Sequence, residues 1–170
     1  MAMTNAEELF YTLLSDVLAR EQFQSQFWDQ LSQQVQDPEV RDIVSVRGYF
    51  AKQDAANIEK CFQLLGKQPT RPNVQAYQTM LEDWRRELDM IQNPMVKALY
   101  VLAKLRNIQD WRIGEYMTLS VMAEAVGNVA VASLLEHNLA DTVDFVERSR
   151  ERFRDRVRQA IAGRMAGKAA

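Results

Sequence analysis

Apolar residues recur along this chain at intervals of three and four. The line Phe10, Leu14, Val17, Glu21, Gln24, Trp28, Leu31, Val35 keeps the helical period and so shares one face. A second line runs Met95, Ala98, Leu102, Leu105, Gln109, Arg112, Tyr116, Leu119, Ala123, and a third Leu135, Leu139, Thr142, Val146, Ser149, Phe153. Between them, Phe50, Ile58 and Phe62 flank "AKQDAAN" (51–57), which contains no large apolar residue. No stretch alternates with period two, so the class is all-α. Each line is apolar at its ends and polar near its centre. One interruption would be noise; four at similar depth predict a single polar layer across packed helices.

Capping signals place the ends. Thr4 reads as an N-cap, with Glu7 completing a capping box, for a helix reaching about Gln34. Asp37 and Pro38 open a second helix that Gly66 closes. "GKQPTRPN" is the clearest loop, and a shorter helix spans about Val74 to Ile91. Asn93–Pro94 opens a fourth, which ends near Gly127, and a fifth runs from about Val129 into the basic end. The four long helices have roughly 27–35 residues, or about 40–50 Å at 1.5 Å per residue. Rods of similar length bury their stripes best side by side, which predicts an up-down four-helix bundle with the short third helix in a crossover.

Composition narrows the function. The chain has 170 residues, 47% of them hydrophobic, which predicts one domain over 1–170 rather than a disordered chain. A single cysteine, Cys61, rules out an intrachain disulfide and reads as a small buried apolar residue. There is no run of 18 apolar residues and no basic-then-apolar leader, so the expectation is a cytoplasmic protein without a membrane span. The net charge of −2 conceals an asymmetry. Residues 147–170 carry eight Lys/Arg and three Asp/Glu, a net of +5. Acids interleaved in "ERSRERFRDRVRQ" weaken any phosphate contact, so a solvated helix end is favoured over nucleic-acid binding. There is no Gly-rich phosphate loop, and Ser15, Ser45 and Ser120 have no evident base.

Helical bundles build di-metal sites in such a layer. They use a Glu from each of two helices and a Glu-x-x-His from each of the other two. Here the second helix offers Lys52 and Ala55 at that spacing, the fourth Gln109 and Arg112, the fifth Thr142 and Phe145. Only Glu21 is a carboxylate in place, and Lys and Arg donate protons rather than ligate a cation.

"LLSDVLAREQ", "IEKCFQLLGKQP", "RNIQDWRIGEYMTLSVMAEAVG" and "LLEHNLADT" together resemble, in order and spacing, the YciE/YciF-like, ferritin-like proteins of bacteria linked to stress responses. The resemblance covers roughly residues 7–155. It implies a ferritin-like fold, dimers or larger assemblies, and a metal-binding Glu where Glu21 stands. It also implies Glu-x-x-His at the positions of Lys52 and Ala55, carboxylates at those of Gln109 and Arg112, and a Glu at that of Thr142. This chain departs from the pattern at every position except Glu21.

Three functions follow as expectations. The first is a metal-free, non-catalytic bundle without cofactor, in which Glu21 pairs with one or both of Lys52 and Arg112, assisted by Gln109, Thr142 and either Asp54 or Asp141. The second is a di-iron or di-manganese oxidoreductase or iron-binding protein with another ligand set, such as Glu21, Asp54, Asp110, Glu136 and His137. The third is a scaffold that binds a protein partner through the basic last helix or through Trp84, Arg85 and Arg86. The first is preferred, as a homo-oligomer.

Overall fold

Three of the five helices in the computed structural model start where a side chain accepts from a free backbone N–H. The structure describes residues 4–166, with side chains as far as residue 162; the last part of the basic end (167–170) lies outside them. The helices are α1 (Ala6–Gln34), α2 (Pro38–Leu65), α3 (Gln75–Met90), α4 (Pro94–Ala125) and α5 (Val129–Ala166). Asp37 caps α2, accepting from the Val40 N–H, and Asn93 caps α4, accepting from Met95 and Val96. Proline follows each cap, with its fixed φ suited to the first turn. Gly66 and Gly127 end α2 and α4 at φ +63° and +78°, the left-handed conformation that spares glycine a Cβ clash.

The first cap differs by one residue from expectation. Asn5, not Thr4, accepts from the Glu8 N–H at 2.8 Å. Thr4 instead donates its N–H and hydroxyl to the Glu8 carboxylate. Thr4–Asn5 and Glu7–Glu8 give two overlapping capping patterns, and asparagine caps at least as well as threonine.

The four long helices form a ferritin-like bundle. The closest pairings are α1 with α2 and α4 with α5. Two apolar clusters fill its ends. One gathers Trp28, Val40, Leu81, Leu102 and Ile108; the other gathers Phe10, Ile58, Phe62, Leu119 and Leu135. α2 begins in the first cluster and ends in the second, and so does α4. The two therefore run parallel and need a long return. The loop after α2 and α3 provide it, pinned to α1 where the Thr70 N–H donates to Ser15 and the Asn73 N–H to Asp16. α3 then buries Tyr77, Leu81 and Leu88 against the first cluster.

The basic end of α5 is laced with acids. Each arginine from Arg148 to Arg158 at the even positions lies within 4 Å of an Asp or Glu. Arg156 reaches the α2 cap, 2.8 Å from both Asp37 and Glu39, and ties the start of α2 to α5. Of the α3 residues singled out for an interface, Trp84 is half-buried, while Arg85 and Arg86 are exposed and Arg86 pairs with Asp83 on its own helix. Arg85 donates to Gln30 and lies over the Phe27 ring, and Lys104 lies over the Trp84 ring. Cys61 is buried, and burial pushes its thiol up to about 12, so it stays a neutral apolar residue.

Gly66→Ala would place a Cβ in the left-handed region, at about 1–2 kcal/mol. The expected result is a thermal midpoint lower by roughly 2–8 °C, with unchanged helix content by circular dichroism.

Candidate functional site

The two apolar clusters do not meet. Between them, residues from all four long helices form a polar layer, and at its centre four charges close a ring. Glu21 comes from α1, Arg47 and Asp54 from α2, and Arg112 from α4. All four are 2% exposed or less. Arg47 bridges the acids, with Nη2 3.2 Å from Glu21 Oε2 and Nη1 3.3 Å from Asp54 Oδ2. Arg112 bridges them from the other side, pairing with Glu21 and reaching Asp54 Oδ2 at 2.9 Å. Acid and base alternate around the ring, and its formal charge is zero.

Neutral groups surround the ring, although the Nε of each arginine meets no partner among the described residues. The Tyr116 hydroxyl accepts from Arg112 at 2.7 Å and donates to Glu21 Oε1 at 3.0 Å. The Arg112 guanidinium also lies 5.0 Å from the centre of the Tyr116 ring. Asn138 of α5 donates to the Asp54 carbonyl at 3.3 Å and accepts from Asn57 at 2.7 Å. Thr142 donates to the Asn138 carbonyl, and Gln24 accepts from the Trp28 indole. Burial dominates the titration of these groups. It lifts the Asp54 carboxyl to about 6, against the pull of Arg47. It lowers the Arg112 guanidinium from its ordinary value, against the Tyr116 hydroxyl and Glu115, and it raises the Tyr116 hydroxyl.

The residues singled out in sequence divide into two groups. Glu21 and Arg112 meet as a direct pair, and Thr142 is buried at the same depth. Ala55 is buried in the second apolar cluster, with Phe10 and Ile58. Gln109 is buried one turn before Arg112, with an amide that meets no hydrogen-bond partner among the described residues. Lys52 stands outside the layer: its ammonium pairs with Asp29 on the surface at 2.6 Å, both side chains about half exposed. The stripe of α2 passes through Val40, Val44, Arg47, Ala51, Asp54 and Ile58, and Lys52 projects off it. The cation that joins Arg112 is therefore Arg47, which the gap "AKQDAAN" did not include. Stepping back from Ile58 in threes and fours would have reached both Asp54 and Arg47. Asn138 sits likewise between the traced Leu135 and Thr142.

The alternative ligand set does not converge. Asp110 is exposed and paired with Arg106, Glu136 is exposed, and His137 lies 3.5 Å from Asp141 on the surface. Among the described residues no three His, Cys, Asp or Glu side chains are grouped to hold a metal ion. The donor set in the layer does not suit a divalent cation either. Its two carboxylates are both engaged by guanidiniums, which offer protons and no lone pair.

Glu21→Ala leaves two buried guanidiniums short of an acid, and the expected loss is about 3–5 kcal/mol in urea unfolding. Lys52→Ala removes only an exposed pair and should stay within about 1 kcal/mol of the parent. Equal losses for the two variants would contradict this placement of the charges.

The comparisons agree with this fold. The crystal structure of the E. coli stress protein YciF superposes with a TM-score of 0.86 at 18% identity, over 92% of this chain and 99% of that one. YcfI from Rhodopseudomonas palustris gives 0.81 at 18% identity, over 86% and 94%. A protein from Xanthomonas campestris pv. campestris gives 0.74 at 17% identity, over 95% and 99%. No curated protein matches the chain by sequence. The model of the family described as domain of unknown function DUF892 matches residues 5–162, so the chain, YciE/YciF-like as its helix segments suggest, belongs to that family.

Proposed function

We propose that this protein is a metal-free, non-catalytic ferritin-like scaffold, cytoplasmic and self-associating, in which a ring of protein charges takes the place of a di-metal centre. The observation that carries this reading is the double engagement of Glu21 and Asp54 by Arg47 and Arg112. Two unit charges 4 Å apart at an effective dielectric near 20 interact by about 4 kcal/mol. A divalent ion beside these acids would face two guanidiniums, with that repulsion doubled for each. Carboxylate ligation would have to exceed this while displacing both arginines. The stress association rests on the likeness to YciF, whose name carries it. Within the scaffold, the ring sets the axial register of α1, α2 and α4, because its charges pair only when aligned in depth.

Protein produced in iron- and manganese-supplemented medium and then dialysed tests the reading. The expected result is no stoichiometric metal by elemental analysis and a melting midpoint unchanged by a chelator. Retention of one or two equivalents of iron or manganese would sink it.

A further inference from the structure

On one side of the charge ring, buried polar atoms stand without hydrogen-bond partners among the described residues. α2 and α4 both enter the bundle through the first apolar cluster. Arg47, which precedes Asp54, and Gln109, which precedes Arg112, therefore lie on the first-cluster side of the ring. Gln109 is 1% exposed, and both its Oε1 and its Nε2 lack a partner. An amide flip exchanges the two atoms and leaves both orphaned. The Nε of Arg47 and that of Arg112 are unpartnered too, since each guanidinium directs its Nη atoms to the acids. Tyr77 belongs to the first cluster, and its buried hydroxyl also lacks a partner. Burial raises that hydroxyl, and Arg47 pulls against it. Native interiors pair nearly all such groups, through protein or through ordered water.

We propose that the first-cluster side of the ring is a closed hydration site, in which buried water bridges the Gln109 amide and the Nε of Arg47. The proposal rests on the geometry of the ring and gives it a further occupant.

The chemistry of the orphaned atoms selects water. Arg47 Nε offers a proton, and Gln109 offers both protons and a lone pair, so the occupant has to accept and donate at once. It has to be neutral as well. The ring already balances two acids with two guanidiniums, and an added ion would stand unpaired in the interior. Buried water meets these demands and makes roughly two to four hydrogen bonds to polar groups of this kind. The α2 stripe leaves space for it. Ala51 is the buried residue between Arg47 and Asp54, and its side chain ends at Cβ. The Arg47 side chain passes it to reach Asp54. From α1, Gln24 accepts from the Trp28 indole and so has a partner of its own. With its Nε held by water, the planar fork of Arg47 is fixed in the orientation that reaches both acids.

A crystal structure of the full chain, at a resolution that orders internal solvent, tests the proposal. The expected result is water density within hydrogen-bonding distance of the Gln109 amide and of Arg47 Nε. Gln109→Leu, close in size and without polar atoms, supplies a second measurement. With water bound, leucine strips Arg47 Nε of its partner, and the melting midpoint should fall by roughly 2–4 °C. A dry amide predicts the opposite, because leucine then removes an unmade hydrogen-bonding group from the core. No solvent density at Gln109, or a protein side chain in its place, overturns the proposal. So does a Gln109→Leu variant that melts at or above the parent. Iron or manganese seated between Glu21 and Asp54 would count against the metal-free scaffold, and the water beside Gln109 is read separately in the same map.

Discussion

Two carboxylates inside a helical bundle require two cations at the same depth. Taking a single ion out of water costs several kcal/mol even after relaxation, and only well-directed partners offset it. Glu21 and Asp54 meet that condition through Arg47 and Arg112, each of which touches both acids. Arginine suits the task because its planar fork reaches two acids at once and it keeps its charge when buried. Lysine would bring one point charge on a flexible stem, and Lys52 accordingly sits outside against Asp29. The rest of the layer follows from the ring. Tyr116 bonds both Arg112 and Glu21, and Asn138 joins α5 to the Asp54 backbone. The apolar core is divided in two because the ring occupies its middle.

The same constraint underlies the proposal that protein charges replace a metal centre on this scaffold. A di-metal centre in a bundle is a pair of cations surrounded by acids. Here the cations are side chains, and two acids balance them. Charge neutrality at the centre is kept with a different supplier of positive charge. That exchange preserves the need for a polar layer, and with it the depth at which the four helices interrupt their apolar stripes.

Much of this was legible in the residues themselves. Every position of the α1 stripe and all but Met95 of the α4 stripe are buried, because periodicity, burial and helix geometry express the same 3.6-residue turn. Glu21 and Arg112 both stand on those stripes, and their pairing could be argued from the cost of leaving either alone. α2 was harder. Its stripe is thin, with Gly48, Ala51 and Ala55 among its buried residues, and small side chains carry little periodic signal. The layer was therefore sought in the gap 51–57, where a Glu-x-x-His spacing falls on Lys52 and Ala55. Arg47 lies two turns before Asp54, and only its long side chain brings its charge to the same depth. The Cα position, which the sequence indexes, and the charge, which does the work, differ by about a helical turn.

Local chemistry determined the helices, their caps and the polar break in each long stripe. Those features depend on neighbours three or four residues away, and the chain specifies such neighbours directly. The choice of partners belongs to the tertiary structure. Glu21 meets Arg47 across 26 residues once α2 folds back along α1, and Arg112 meets Asp54 across 58 only once the crossover has laid α4 parallel to α2. Helix packing decided which cation entered the layer and which stayed in water, because the energy of a buried charge depends on what stands opposite it.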